Sequence, residues 1–340
     1  MAAPYHVDVY TSALRLPKMV WDTFSSNPRS ANIMYPHALK CHHLEDKGRQ
    51  PAPDQFWIVC CTGANGSNMS VDFVLSCTRG PLGNYPIFIF TTVPHTQLDS
   101  NAAVVRISAL VDHLSAYANV KRVFSVFAPE LLARVFASIW TERKGIPLDP
   151  VLPEYYAAKL TYCNRESFNR VEPPLYAGYL MRLANESDIP KVAPLCHGFS
   201  AESAPFVLTH EEARKEATFL VNNQQLWVHC VSTPGNGYDI ACIVAVTRTS
   251  DEVAAITKVY TNPAWRARGC AERLVRRVCK ELLDKKRSVV LFVGHDNPAA
   301  RVYERVGFVG LSRGAQGNIP GVERWLELGF DRSCVTLGHW

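Results

Sequence analysis

The chain has 340 residues, 47% of them apolar, 20% charged and 10% aromatic. That composition supplies a sizeable core and excludes a disordered tail, a collagen-like chain or a peptide scaffold, and the length suits one large domain or two moderate ones. A net charge of +5, from 36 Lys+Arg against 31 Asp+Glu, is too small to argue for nucleic acid and tolerates an anionic small ligand.

Met1 to Asp8 lacks a basic stretch followed by an apolar core, so no secretory leader is expected. No stretch reaches the roughly 18 apolar residues of a membrane span, and no membrane partner is expected. The 11 cysteines are odd in number and form no C-x-x-C. Many lie in apolar runs, such as Cys60-Cys61, Cys242 and Cys279, and read as reduced thiols of a cytoplasmic protein. Cys41-His42-His43 has no second cluster beside it, so no metal is expected.

Along the chain, Ser12 to Phe24 suits a helix, and Asn27 to Pro53 reads mostly as loop. Strand patterns follow at Phe56–Cys61, closed by the turn Gly63-Ala64-Asn65-Gly66, then at Ser70–Cys77 and Pro86–Val93. Val104, Ile107, Leu110, Val111 and Leu114 fall at helical spacing within 102–117. Strand 123–127, helix 129–140 with proline at its start, and strand 155–162 complete a first half. Glu172-Pro173-Pro174 reads as a hinge, which divides the chain into 1–172 and 173–340. After it come strand 179–183, a helix opened by Ser187-Asp188, and a helix from His210 capped by Thr209. Strands 226–231, 240–247 and 253–260 follow, then a basic helix at 269–283 and strand 289–293. Helix 298–306 and strands 308–311 and 323–330 end the chain.

The halves share more than element order. A shift of 167 positions lays Ala133-Arg134-Val135-Phe136 on Ala300-Arg301-Val302-Tyr303, and strand 86–93 on strand 253–260. Element type and spacing agree over about 75 residues, which points to an internal duplication of one α/β unit.

The sharpest local signal is the strand-to-helix junction Val259-Tyr260-Thr261 through Arg266-Ala267-Arg268-Gly269-Cys270-Ala271-Glu272. Free N–H groups at a helix start carry the positive end of the dipole and form a site for a pyrophosphate. Gly269 and Ala271 are small enough for phosphate oxygens to reach the main chain. Arg266 and Arg268 add charge, and Arg273, Arg276, Arg277 and Lys280 lie further along for an outlying phosphate.

This junction resembles the Arg/Gln-x-x-Gly-x-Gly/Ala signature of the GCN5-related N-acetyltransferases (GNAT). A second block resembles the same family: Asn297, then Ala300, then Tyr303-x-x-x-Gly307-Phe308, one helix and one strand later. The resemblance covers roughly 176–330, and the first half joins it only through the repeat. It implies an α/β GNAT fold: a mixed, mostly antiparallel sheet flanked by helices, with a V-shaped splay between two strands, in two tandem copies. It further implies acetyl-CoA as co-substrate, with pantetheine along Val259, Tyr260 and Thr261 and pyrophosphate on Arg266 to Glu272. Asn297 and Ala300 would meet the cofactor arm, and Tyr303 would protonate the departing thiolate. A phenol of pKa about 10 is protonated at neutral pH and suits that task independently of the family. Residues 297, 300 and 303 also share one helical face. Without the upstream motif Tyr303 reads equally as a core tyrosine, and the Arg273–Lys286 run as a solvated face.

The expected reaction is direct acetyl transfer to a primary amine, most simply of a small molecule. The alternatives are a protein or peptide amine, or a CoA-binding module without turnover. The attacking amine must lose a proton. Glu252, Asp251, His229, Glu202 and Ser203 are the candidates, and no spacing singles one out. The first half carries Asp99, Ala102, Val104 and Phe136 where the second has Arg266, Gly269, Ala271 and Tyr303. It is therefore expected to be a degenerate unit that supports the second or walls its acceptor pocket.

Overall fold

The computed structural model describes residues 4–63, 69–171, 174, 178–235, 237–312 and 319–340. The turn at 64–66 and the hinge residues Glu172 and Pro173 lie outside the described residues. Two units emerge: Met1–Ala158 together with Glu323–Trp340, and Lys159–Val322.

The first unit runs β1 (Tyr5–Tyr10), α1 (Lys18–Ser26), α2 (Tyr35–Asp46), β2 (Phe56–Thr62) and β3 (Ser70–Cys77). A two-residue hairpin, β4 (Arg79–Gly80) and β5 (Gly83–Asn84), leads to β6 (Ile87–Thr91), α3 (Asn101–Tyr117), β7 (Ser125–Pro129), α4 (Glu130–Lys144) and β8 (Glu154–Asn164). From Lys159 on, β8 belongs to the second unit. That unit continues with β9 (Tyr179–Leu183), α5 (Ile189–Ala201), α6 (His210–Asn222), β10 (Leu226–Thr233), β11 (Gly237–Thr249) and β12 (Val253–Thr261). It ends with α7 (Cys270–Lys285), β13 (Ser288–Gly294) and α8 (Ala300–Val306). The last strand, β14 (Glu323–Gly329), lies in the first unit.

The division differs from the cut at 172/173. The reason is strand pairing. Antiparallel β14 sits on β7, from Trp325 opposite Pro129 to Gly329 opposite Ser125. Trp325, Leu326 and Phe330 are buried there.

Strand order in the first unit is β1-β2-β3-β6-β7-β14, and in the second β9-β10-β11-β12-β13. Pairing is antiparallel except for β6 with β7 and β12 with β13. The element order thus repeats, as the shift of 167 anticipates. Asn27–Pro53 is not mostly loop, because α2 fills 35–46. Its apolar stripe is short, and its buried residues (Tyr35, Pro36, Ala38 and Glu45) mix polar and apolar, so periodicity does not show it. The first helix starts at Lys18 because Pro17 stands at its N-cap. Strand β1 at Tyr5–Tyr10 is not among the expected strands although Val7 and Val9 alternate with His6 and Asp8, and 308–311 is a turn rather than a strand.

Two features of β12 shape the second unit. Its parallel pairing with β13 spans only Val253–Ala255 against Ser288–Val290, although the strands continue to Thr261 and Gly294. The strands separate there, as the expected splay requires. Ala245 pairs with Lys258 and Val246 with Ile256, so Thr257 is an extra residue, a bulge that switches the faces of the residues after it. Ala254 and Ile256 pack with Leu274, Val275 and Val278 of α7. Beyond the bulge Lys258 and Tyr260 turn to α5 and α6. Among the described residues no helix is long and apolar enough to cross a membrane.

Candidate functional site

The start of α7 is built to stay open. Gly269 is its N-cap, at φ +70°, and among the described residues no side chain caps the helix. Ala267 is also left-handed, at φ +60°, a conformation alanine rarely adopts. Left-handed residues at 267 and 269 curl the main chain into a concavity of N–H groups, the geometry that binds anions. Residues 266–269 are exposed. Arg266 donates from Nε to the Thr261 carbonyl (3.3 Å) and from Nη2 to Glu202 Oε1 (2.7 Å). The Arg268 guanidinium lies 4.8 Å from the Trp265 ring centre.

The basic residues further along α7 are occupied elsewhere. Arg273 is buried and donates to the carbonyls of Pro174 (3.1 Å) and Arg268 (2.7 Å). Arg276 is buried as well. It donates to Glu272 Oε1 (3.1 Å) and to the carbonyls of Arg305 (3.0 Å) and Asn169. Arg277 pairs with Glu281 on its own helix. Arg273 and Arg276 thus tie α7 to its surroundings, Arg277 stays on its own helix, and Lys280 lies exposed further along. The carboxylate of Glu272 also takes Arg305 Nε at 2.6 Å, so that side chain is engaged away from the loop.

Val259, Tyr260 and Thr261 pair with Val244, Ile243 and Cys242 on one edge, while β13 has left the other edge of β12. Among the described residues no strand pairs with that edge, so its backbone donors and acceptors are open to an extended ligand, as to a further strand. The Tyr260 hydroxyl closes over Gly198 of α5, where an added Cβ would lie 2.6 Å from it. Asn297 Oδ1 accepts the Ala299 N–H at 2.9 Å and shapes the entry to α8. Ala300 is half-buried in the core. Tyr303 is 8% exposed, its ring edge-on to Phe308 at 5.8 Å.

The proton-acceptor candidates are scattered. Glu252 pairs with Arg287 at the beginning of β12 (3.1 Å). At roughly 3.3 Å per residue it stands on the order of 30 Å from Thr261. Glu202 is held by Arg266, and Ser203 Oγ donates to the Phe199 carbonyl. The Asp251 carbonyl accepts from Lys286. His229 is fully buried against α7, where burial and then the Arg273 charge hold its pKa down, while the Cys270 carbonyl pulls the other way. The structure instead brings together a pair the sequence did not suggest. Lys258 donates to Glu216 Oε2 of α6 at 2.5 Å, with the Lys258 ammonium 4.6 Å from the Phe199 ring centre. Both are largely buried beside Val259. Glu216 stands in the charged run Glu211 to Glu216, which reads as a solvated face, and the bulge that turns Lys258 toward it has no local signature.

The matching place in the first unit is closed. Ser100 Oγ accepts the Ala103 N–H (3.3 Å) and caps α3, and no residue at 92–100 is left-handed. Phe136 is fully buried, stacked on Trp140 at 6.2 Å.

The family model for the acetyltransferase (GNAT) domain matches residues 222–310. No curated protein matches the sequence. Solved structures do. A Drosophila protein from a structural genomics programme is 13% identical, with a TM-score of 0.62, over 95% of this chain and 98% of that one. A tandem GNAT protein of the clavulanic acid biosynthesis pathway is 12% identical, with a TM-score of 0.52, over 95% and 97%. A GCN5-related N-acetyltransferase from Sphaerobacter thermophilus is 12% identical, with a TM-score of 0.50, over 95% and 94%. Residues 222–310 of the second unit thus match the acetyltransferase (GNAT) domain model, and the chain is similar in fold to a tandem GNAT protein.

Proposed function

We propose that the second unit transfers an acetyl group from acetyl-CoA to a primary amine, most simply that of a small molecule. The observation that carries this reading is the uncapped, left-handed start of α7 directly after a strand whose outer edge is free. One feature fits a pyrophosphate and the other an extended pantetheine arm. Acetyl-CoA supplies the activated acyl group and a thiolate leaving group.

The chain's own residues account for the rest. The amides of Gly269 to Glu272 hold the phosphates, with Arg266 and Arg268 adding charge. Arg266 exchanges Glu202 for phosphate oxygens, a cheap exchange because both side chains are half-exposed. Tyr303 Oη gives its proton to the departing sulfur. The Glu216 carboxylate, held by Lys258 beside the proposed arm site, is our candidate for taking the amine proton, directly or through water. The first unit, with a capped α3 and Phe136, supports the fold and binds no cofactor. All eleven cysteines are free thiols, which suits a reducing cytoplasmic setting.

Calorimetric titration with acetyl-CoA, followed by thiol release against small amines and peptide amines, tests this reading. Saturable binding with amine-dependent release is expected. Binding with no release for any amine would leave a CoA-binding module, and no binding at all would overturn the assignment.

A further inference from the structure

The start of α7 has no side-chain cap, so its backbone must be held by other groups. The carbonyls of Arg268, Gly269 and Cys270 all turn inward. The Arg268 oxygen accepts from Arg273 Nη1 at 2.7 Å, and the Gly269 oxygen from the Arg273 backbone N–H at 3.2 Å. The Cys270 oxygen accepts from His229 Nδ1 at 3.2 Å. Across a planar trans peptide the next N–H points opposite to the C=O. Three carbonyls held inward therefore aim the amides of Gly269, Cys270 and Ala271 outward.

The groups that hold them, His229 and Arg273, are buried and meet at one half-buried tyrosine ring. The His229 ring meets Tyr179 edge-on at 5.0 Å, and the Arg273 guanidinium lies 5.4 Å from the same Tyr179 ring. A carbonyl only accepts, so Nδ1 carries the proton of a neutral imidazole. His229 Nε2 is buried and has no partner among the described residues. An unpartnered buried nitrogen is destabilising, and an apolar residue here would avoid it. The imidazole stands where its other nitrogen grips the loop.

We propose that His229 and Arg273, joined through Tyr179, are positioning residues that pre-set the α7 loop for the CoA pyrophosphate, an inference that rests on the function proposed above. Neither touches the ligand. They act by fixing peptide planes before it arrives, so ordering that backbone costs nothing at binding.

The test uses the full chain and two isosteres. In His229→Asn the amide Nδ2 stands where Nδ1 was, and in His229→Gln the donor moves to the other end. His229→Gln is expected to weaken acetyl-CoA about three- to tenfold, the range of one net hydrogen bond. It should leave binding of S-acetylpantetheine, which has no phosphate, unchanged by NMR titration, and kcat at saturating acetyl-CoA unchanged. His229→Asn should restore parental affinity. Arg273→Lys, which keeps the charge and loses the fork, should repeat the pattern of His229→Gln and serves if that variant does not fold. Parental affinity in His229→Gln and Arg273→Lys overturns the inference, as does equal weakening of both ligands. A parent that binds no acetyl-CoA overturns the functional reading, and this inference with it.

Discussion

Helices α3 and α7 hold the same place in the two repeats, yet their first turns are built for opposite ends. Both follow a strand that runs parallel to the next one, β6 with β7 and β12 with β13. The first turn of α3 is satisfied by its own Ser100, and that of α7 by nothing but Gly269. A side-chain cap is worth about 1 kcal/mol. A start that forgoes it keeps an anion site open. The strands differ as well. Trp340 rests on Phe88 of β6 and Phe127 of β7, at 5.4 and 4.8 Å, so an indole covers the place where these two strands pair.

The largest way to break this comparison is at Tyr303 and Phe136. Tyr303→Phe removes only a hydroxyl and should lower kcat by on the order of 10²–10⁴, with little change in melting temperature or acetyl-CoA affinity. A variant as active as the parent would show that water or another donor protonates the sulfur. The reverse change, Phe136→Tyr, should restore no second activity. It buries a hydroxyl in a fully enclosed site at a cost of about 1–3 kcal/mol.

Gly269→Val comes next. The valine must adopt φ +70° with its Cβ 3.3 Å from Arg273 Nη1, and it adds bulk at the proposed phosphate loop. Acetyl-CoA affinity should fall tenfold or more, about 1.4 kcal/mol, by calorimetry. Gly145, left-handed at the end of α4 in the first unit, makes the control, because no atom lies within 4 Å of its added Cβ. Gly145→Ala should lower stability by about 1 kcal/mol and leave acetyl-CoA binding alone. Unchanged affinity in Gly269→Val would remove the loop from the cofactor site.

Much of this was legible because it is local. The small residues and arginines of 266–271, the Thr209 cap and the order of strands are read within a few positions of each other. The places that were not legible depend on distant partners. Nothing near residue 323 says that β14 will pair with β7, some 200 positions earlier. The Thr257 bulge exists only against β11, and without it Lys258 and Glu216 would face opposite sides of the sheet. Arg273 and Arg276 look like phosphate ligands in sequence, and only the carbonyls of 169, 174, 268 and 305 show them as ties.

The Trp340 cover in the first unit gives a pH test. Glu327 on β14 is fully buried, accepting from Ser125 Oγ (2.7 Å) and Trp340 Nε1 (2.8 Å), and burial pushes its pKa up to about 8 despite both bonds. Unfolded, the carboxyl titrates near 4.3. The folded state holds the proton more tightly, so this group's contribution is fully present below about pH 4 and is lost as pH rises toward 8. It amounts to a few kcal/mol at most, on the order of the shift. Glu327→Gln, which keeps an acceptor for Trp340, should flatten that slope and raise the melting temperature at pH 8 relative to the parent. An unchanged slope between pH 5 and 8 would show that Glu327 ionises freely.

The smallest effect sharpens the comparison most. Ser100→Gly gives α3 the N-cap residue of α7. Glycine replaces a serine cap at a cost of only a few tenths of a kcal/mol, so melting should move by a degree or two. The amides at the start of α3 would then be free in the same sense as those of α7. Yet Asp99 stands beside them, Val104 crowds the first turn, and no left-handed residue curls the preceding loop. The first unit should therefore gain no affinity for acetyl-CoA, and the calorimetric stoichiometry should stay at one per chain. A second binding event in Ser100→Gly would mean that the cap alone separates the two units, and that the curled loop, its arginines and the groups behind it are not what makes α7 a site.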